Sequence, residues 1–384
     1  MPTGRATAYD LTTGVVINMD EAIYMLSPVD TPMLTGLGSD GLTMIGTSPV
    51  DEIQFSWMTD TILTPRSTLA AQALTADTVL TLAANDRIKF STGDIVTINK
   101  AGAVEQIRVT GYSSGSDVLN VARAWAGTAT NYATSAIVIG LGTALAEGSD
   151  PEAARTVDRV EFTGVTQIFG PTKIDMSRTE QQVRKYGVGS EWAHQLAGRV
   201  KENAIHREQT FLYGARVNST AGKIRTTGGL RFYITTNVDS TATQLTVTGT
   251  NSITARQQIG YNAGGFADII MANPTAMSDL NAAADTLVVR QTIDDPKRGR
   301  TRISFADTEF GSVLMARNRW CAPSDAFGLN TENVTRRVLQ PLIYQKLAQT
   351  GDSDQGQIVC EEGLEVKGEQ HLYRFNALAY TGSN

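Results

Sequence analysis

Two glycine motifs raise the first chemical question. Gly36-Leu37-Gly38-Ser39-Asp40-Gly41 fits G-x-G-x-x-G. That pattern cradles a pyrophosphate when a strand precedes it and a helix N-terminus follows. Here Pro32 lies just upstream, and the downstream LTMIGTSPV holds Gly46 and Pro49. No helix supplies the dipole, so the segment reads as a turn. Gly111-Tyr112-Ser113-Ser114-Gly115 fits G-x-S-x-G. A nucleophile elbow needs strand, turn and helix, with a histidine base later in the chain. The residues after Gly115, DVLNVARAW, alternate like a strand, so Ser113 reads as part of a hairpin loop.

The remaining reactive side chains do not assemble into a site on spacing alone. His194 and His206 are 12 residues apart, which places them about 120° from each other around a helix and on no common metal-binding face. His371 stands alone. Cys321 and Cys360 are too few for a disulfide framework or a zinc site and read as small core residues. Asp352 and Asp354, like Asp51 and Glu52, read as acidic turns. P-loop, HExxH and EF-hand patterns are missing from the sequence. The expectation is no catalytic residue, no cofactor and no metal. One basic cluster, Lys297, Arg298, Arg300 and Arg302 in DDPKRGRTR, sits beside Asp294 and Asp295. It reads as a charged loop, with Arg298 and Arg300 as candidates to touch phosphate or an acidic neighbouring surface.

The elements that position these residues follow from periodicity. After Gly189, SEWAHQLAGRVKENAIHREQTFLYG spaces Ala193, Leu196, Ala197, Val200, Ala204, Phe211 and Leu212 by threes and fours. Ser190 can cap this helix and Gly214 ends it. Ile53, Phe55 and Trp57 alternate in EIQFSWMTDTILTPR, a strand, and a matching extended segment covers 156–178. Between them TVLTLA, DIVTIN, EQIRVTGY, DVLNVARAW and AIVIGLG are short strands separated by turns, a block of about 67–146 sized for a small β-barrel or sandwich at a hairpin tip. A short helix is expected at Asp20–Leu26, followed by a turn and extended chain through DTPMLTGLG. ADIIMAN leads as a strand into a helix starting at Asn273-Pro274. ISFADTEF and SVLMARN form a hairpin, and ENVTRRVLQ, QIVCEEGLEVKG and LYRFNALAY are closing strands.

Composition bounds the class. The 384 residues carry 33 Lys and Arg against 39 Asp and Glu, a net charge of −6, which argues against tight electrostatic gripping of nucleic acid. Hydrophobic residues are 41% and charged residues 19%, a globular balance. The 48 threonines and 35 glycines favour strands and turns over a helical bundle. Ala124–Ala146 carries no charge, but its polar residues and glycines mark a strand and loop, so no membrane span is expected. The N-terminus lacks the apolar run of a signal peptide.

A two-stranded hairpin is marginal in water by itself. The apolar faces of this one, Phe55, Trp57, Phe162 and Phe169, and an extended N-terminal arm with few apolar residues, call for partner surfaces. Pro32, Phe55, Trp57, Phe169, Arg298 and Arg300 are therefore the candidate contacts between chains, with the Trp57 ring expected to be buried between them.

The order of segments resembles the major capsid proteins of tailed bacteriophages with the Hong-Kong-97-type fold, in the branch with a β-rich insertion in the extended loop. The residues carrying the resemblance are Asp30-Thr31-Pro32-Met33-Leu34, Phe55-Ser56-Trp57-Met58-Thr59-Asp60, Ala146-Glu147-Gly148-Ser149 and Val165-Thr166-Gln167-Ile168-Phe169. They continue with Tyr186-Gly187, Phe211-Leu212-Tyr213-Gly214, Thr227-Gly228-Gly229-Leu230, Thr308-Glu309-Phe310-Gly311, Pro341-Leu342 and Thr350-Gly351-Asp352-Ser353.

The resemblance implies an α+β chain. Its parts would be an N-terminal arm at 1–50, and an extended loop at 51–178 holding a small β-barrel-like domain at 67–146. A peripheral domain at 179–234 and 326–384 and an axial domain at 235–325 would complete it. It implies a non-enzymatic subunit whose hexamers and pentamers form an icosahedral head around double-stranded DNA. The expected partners are copies of itself, a separate scaffolding protein (Met1 opens directly on the arm), a portal and a decoration protein, with weak contact to DNA. Lys173, Lys89 and Lys100 do not align as a crosslinking set, and no crosslink is expected. A nanocompartment shell shares the fold; a tail or decoration protein, or a hydrolase using Ser113, are the competing readings.

Overall fold

The computed structural model describes residues 30–35, 45–60, 62–102, 104–113, 115–148, 159–183, 185, 189–219, 222–283, 288–295, 299–349 and 351–379; of 171, 279–283, 288–295 and 299–307 it describes the backbone. The helix expected at Asp20–Leu26 and the motif at 36–41 lie outside these residues.

The first part of the chain holds α1 (Pro32–Thr35), β1 (Gly46–Pro49) and β2 (Gln54–Asp60). Next come β3 (Arg66–Thr68), β4 (Val79–Thr81), β5 (Asp94–Ile98), β6 (Glu105–Tyr112), β7 (Val118–Gly127) and β8 (Ile137–Thr143). Then follow β9 (Arg159–Val165), β10 (Gln167–Ser177), α2 (Arg178–Gln182), α3 (Glu191–Tyr213), β11 (Val217–Asn218), β12 (Arg225–Thr226) and α4 (Leu230–Tyr233). The last part holds β13 (Val238–Asp239), α5 (Ile253–Asn262), β14 (Ile269–Ala272), α6 (Pro274–Ala283), β15 (Val288–Asp295), β16 (Gly299–Thr308), β17 (Gly311–Arg317), β18 (Ala326–Leu329), β19 (Val334–Lys346), β20 (Ser353–Val366) and β21 (Tyr373–Phe375).

These elements group into two compact units, Met58–Glu161 and the rest of the chain. In the larger unit, α3 begins where Ser190 Oγ accepts the Ala193 N–H at 3.4 Å, the cap expected of a serine at that position. The helix packs on a four-stranded sheet of order β1-β19-β20-β10. Phe211 and Leu212 of α3 are fully buried with Leu364 and Val366 of β20. A seven-stranded sheet of order β13-β21-β18-β14-β17-β16-β15 completes this unit. Its central strand β14 reads buried at all four residues, as expected of a strand covered on both faces.

Three local expectations change. On either side of 296–298, which lie outside the described residues, the charged run is strand and not loop: Asp294 stands opposite Arg300 and Thr292 opposite Arg302 in the β15–β16 ladder. Charged positions are thus accommodated at the end of a ladder whose other pairs include Val288 with Ala306 and Val289 with Phe305. Of the extended segment expected at 156–178, residues 159–177 hold two strands: β9 pairs with β2, and β10 turns away after Thr166 to pair antiparallel with β20. Pro32–Thr35 is a helical turn within the stretch expected to be a turn and extended chain.

The smaller unit is a six-stranded sheet of order β3-β8-β5-β6-β7-β4 around its own core of Leu69, Leu80, Val96, Ile107, Leu119 and Val138. A closed barrel is not formed by ladder pairing. The two edge strands meet through one bridge, Leu69 with Leu82, so the sheet curls toward closure and stops there.

Candidate assembly surface

The residues expected to reach a neighbour are largely spent inside one chain. Trp57 on β2 is 6% exposed. Its ring stacks between Phe55 and Phe162, with centroids 6.1 Å away on each side, and meets Tyr233 of α4 edge to face at 5.6 Å. Phe55 lies over two glycines: a Cβ on Gly363 would sit 2.8 Å from its ring, and one on Gly164 would fall inside ring contact distance. The glycines thus clear the space that the hairpin root needs. Phe169 is 5% exposed and packs edge to face on Phe211. Pro32 is buried at the start of α1. The Trp57 ring therefore finds its cover on its own subunit, contrary to the expectation of burial between chains, because the sheet and α4 supply an aromatic cage. Arg298 lies outside the described residues, and Arg300 occupies a β16 position opposite Asp294.

Behind this aromatic root runs a buried charge ladder on β20. Successive residues point to opposite faces. On one face, Glu361 accepts hydrogen bonds from Arg225 Nη2 and Thr166 Oγ1, both at 2.6 Å. On the same face Glu365 pairs with Arg337, whose Nη1 donates to Ser48 Oγ of β1 at 2.7 Å. On the opposite face, Glu362 takes Arg207 of α3 at 2.8 Å and faces Arg336 at 3.7 Å. One strand thereby ties β1, the base of the hairpin and α3 together. These carboxylates lie far from their cations in sequence, which is why residue-by-residue reading does not find them.

The smaller unit is pinned in the same way. Glu105 is 1% exposed. Its carboxylate accepts Arg123 Nε and Nη2 at 2.8 and 2.9 Å, the backbone N–H of Ala124 and Thr130 at 3.0 and 3.1 Å, and the Tyr132 hydroxyl at 3.0 Å. Burial pushes its acid up, yet the Arg123 fork and two backbone donors outweigh it and bring the group down to about 2.

One chain also leaves apolar side chains in water. Met58 and Val160 on the hairpin strands are 66% and 52% exposed. In the larger unit, Ile53, Ile168, Val217 and Ile224 are also exposed. Ile53 lines an open cleft of about 710 Å³ with Asp51, Glu52, Lys223 and Arg225; Val217 and Ile224 belong to or border the β11–β12 hairpin beside it. The short β11 and β12 give no clear periodic signal in sequence, so this part of the surface was not anticipated.

Ser113 donates its backbone N–H to Val118 across the β6–β7 connection at 3.2 Å, strand to strand and not strand to helix. His194 and His206 ride on α3. Among the described residues no group of three His, Cys, Asp or Glu side chains could hold a metal ion, and no helix is long and apolar enough to cross a membrane.

Solved structures place this architecture. A chain from the capsid of Myoviridae phage XM1 superposes with a TM-score of 0.50 at 10% identity, covering 98% of this chain and 100% of that one. A chain from the capsid of a native GTA particle gives 0.48 at 10% identity, covering 99% and 100%. The encapsulin complex of Synechococcus elongatus PCC 7942 gives 0.42 at 11% identity and covers 59% of this chain and 80% of that one. A search of curated proteins gives no match.

The fold is that of a capsid-shell subunit of the Hong-Kong-97 type, a structural protein of the virion that assembles with copies of itself. The family model of the SU10 major capsid protein matches residues 2–379, and the chain belongs to that family. The family is one of structural capsid proteins, not of enzymes.

Proposed function

We propose that this chain forms the wall of an icosahedral phage head, its copies grouped as hexamers and pentamers around double-stranded DNA. In this reading 1–50 is the arm that lies on a neighbour, and 51–178 is the extended loop carrying its insertion. Residues 179–234 and 326–384 are the peripheral domain, and 235–325 gather at the capsomer axis. The observation that carries the reading is the apolar surface left by a folded subunit. Met58, Val160, Ile168 and Ile224 are each at least half exposed, while Trp57 and Phe169 are buried. In this reading these side chains belong to the contact surfaces between copies, and identical neighbours are the partners a shell supplies.

A net charge of −6 supports weak, non-specific contact with packaged DNA. A separate scaffolding protein, a portal and a decoration protein belong to the same proposal as partners. Electron microscopy of nuclease-treated particles tests it. Closed shells with fivefold and sixfold units around nuclease-resistant DNA are expected. Shells holding protein cargo instead, or open tubes, would overturn it.

A further inference from the structure

In the smaller unit, the turn from β5 to β6 and the loop before β8 border a cleft of about 320 Å³. Its polar lining is Gln72, Asn99, Lys100 and Asn131. Ala133 and Ala136 complete the wall and, being small, leave the space open. The volume falls at the lower end of the range for small-molecule sites.

This cleft is built on a fixed base. Tyr132, which also borders it, is 1% exposed. Its hydroxyl donates to Glu105, the carboxylate that also holds the Thr130 N–H. Its backbone N–H and carbonyl pair with Ala73 at 2.8 and 3.0 Å. Asn131 stands on that base: its Oδ1 accepts the Thr75 N–H at 2.8 Å, and its carbonyl accepts Lys100 Nζ at 2.7 Å. Lys100 Nζ also lies 5.9 Å from the centre of the Tyr132 ring. Groups set in place beforehand lower the ordering cost of binding.

The chemistry on offer is one-sided. With its Oδ1 engaged, Asn131 has its amide N–H groups left to donate. Lys100 keeps N–H groups beyond the one given to the Asn131 carbonyl. The Gln72 and Asn99 carboxamides have no hydrogen-bond partner among the described residues. Among the described residues no carboxylate lines the cleft. Of the acids nearby, Glu105 is paired with Arg123 at 2.8 Å, and Asp77 accepts the Leu74 N–H at 2.6 Å. The lining thus combines a cation, several N–H donors and two carboxamide oxygens. A bare inorganic anion answers the donors but brings no O–H for those oxygens. A neutral sugar answers both carboxamides but leaves the ammonium without a counter-charge. A sugar carrying a carboxylate answers all of them.

We infer that this cleft is a binding site for a carboxylate-bearing sugar unit of the hexuronate or sialic-acid class. Lys100 and the Asn131 amide take the carboxylate. Gln72 and Asn99 take ring hydroxyls, each as donor and acceptor. The site goes beyond the shell reading and does not rest on it, since all its residues belong to the smaller unit.

Saturation-transfer NMR on the full-length chain tests the site, with sodium D-glucuronate and N-acetylneuraminate as probes. D-glucose, acetate and inorganic phosphate are the controls. At least one acidic sugar is expected to bind saturably, with a dissociation constant on the order of 1 mM for a ligand of that size. It should bind at least about tenfold more tightly than each control. Lys100→Met is expected to weaken that binding about tenfold and bring it level with glucose. Asn131→Asp keeps an acceptor for the Thr75 N–H but replaces the donor by a like charge, and is expected to abolish binding. Both substitutions fall at exposed positions, and the wild-type selectivity decides alone in any case. Failure of both acidic sugars to saturate below about 50 mM overturns the site. So does equal binding of glucose, acetate or phosphate, or binding unchanged in Asn131→Asp.

Discussion

Trp57 and Tyr233 meet edge to face, with ring centroids 5.6 Å apart and planes at 65°. The contact fastens the root of the β2–β9 hairpin to the body of its own subunit, so an aromatic that looked destined for a neighbour acts first in folding. Trp57→Ala should therefore destabilise the unassembled subunit by about 3–5 kcal/mol, the usual cost of emptying an aromatic site. Chemical denaturation of the subunit measures it. A midpoint equal to wild type would contradict the cage.

Gly363 tests the same root from below. Alanine there would place a methyl 2.8 Å from the Phe55 ring and equally close to the Val165 carbonyl. The expected loss is about 1–3 kcal/mol, as for other overpacked sites. Pairing Gly363→Ala with Phe55→Leu, which vacates the ring, should recover part of that loss in the same denaturation assay.

The Glu105–Arg123 pair governs the smaller unit. Glu105 is held at about 2 against an ordinary 4.5. A lowered acid contributes stability above its free value and loses it as pH falls through the folded one, here from about 4.5 down to about 2. The loss should amount to about 3 kcal/mol in that window. Arg123→Met removes the fork, leaves the carboxylate buried and should cost about 3–5 kcal/mol at pH 7. Acid titration of both proteins, followed by amide hydrogen exchange of β6 and β7, reads both effects.

Ile224 is 68% exposed, so aspartate there should leave subunit stability within about 0.5 kcal/mol of wild type. Particle yield by sedimentation should fall several-fold, because a charge would have to be desolvated against the neighbouring copy. Equal yields would remove the β11–β12 hairpin from the contact surface.

Much of this fold was legible because its signals are local. Helix α3 announced itself through Ser190, Gly214 and apolar spacings of three and four. Strands β5–β8 each matched a short alternating run, and the Asn273-Pro274 start of α6 was visible as a dipeptide. What stayed hidden depends on partners far along the chain. Glu361 meets Arg225 across 136 residues and Glu208 meets Met33 across 175, so neither buried acid carries a sequence signature. The pairing of β15 with β16 was missed because the stretch nearest their junction, Asp294 and Asp295 opposite Arg300 and Gly299, is charged and polar and so has the composition of a loop. Trp57 was recognised as an anchor but given the wrong partner, since an alternating strand shows that one face is buried without showing by whom.

The account rests on apolar surface that a single subunit leaves in water and its siblings cover. Hydroxyl-radical footprinting of Met58 and Ile224, compared between dissociated subunits and assembled particles, measures that cover directly. Both side chains should react rapidly in the subunit and at least about tenfold more slowly in the particle. Equal labelling of both residues in the two states would contradict the account.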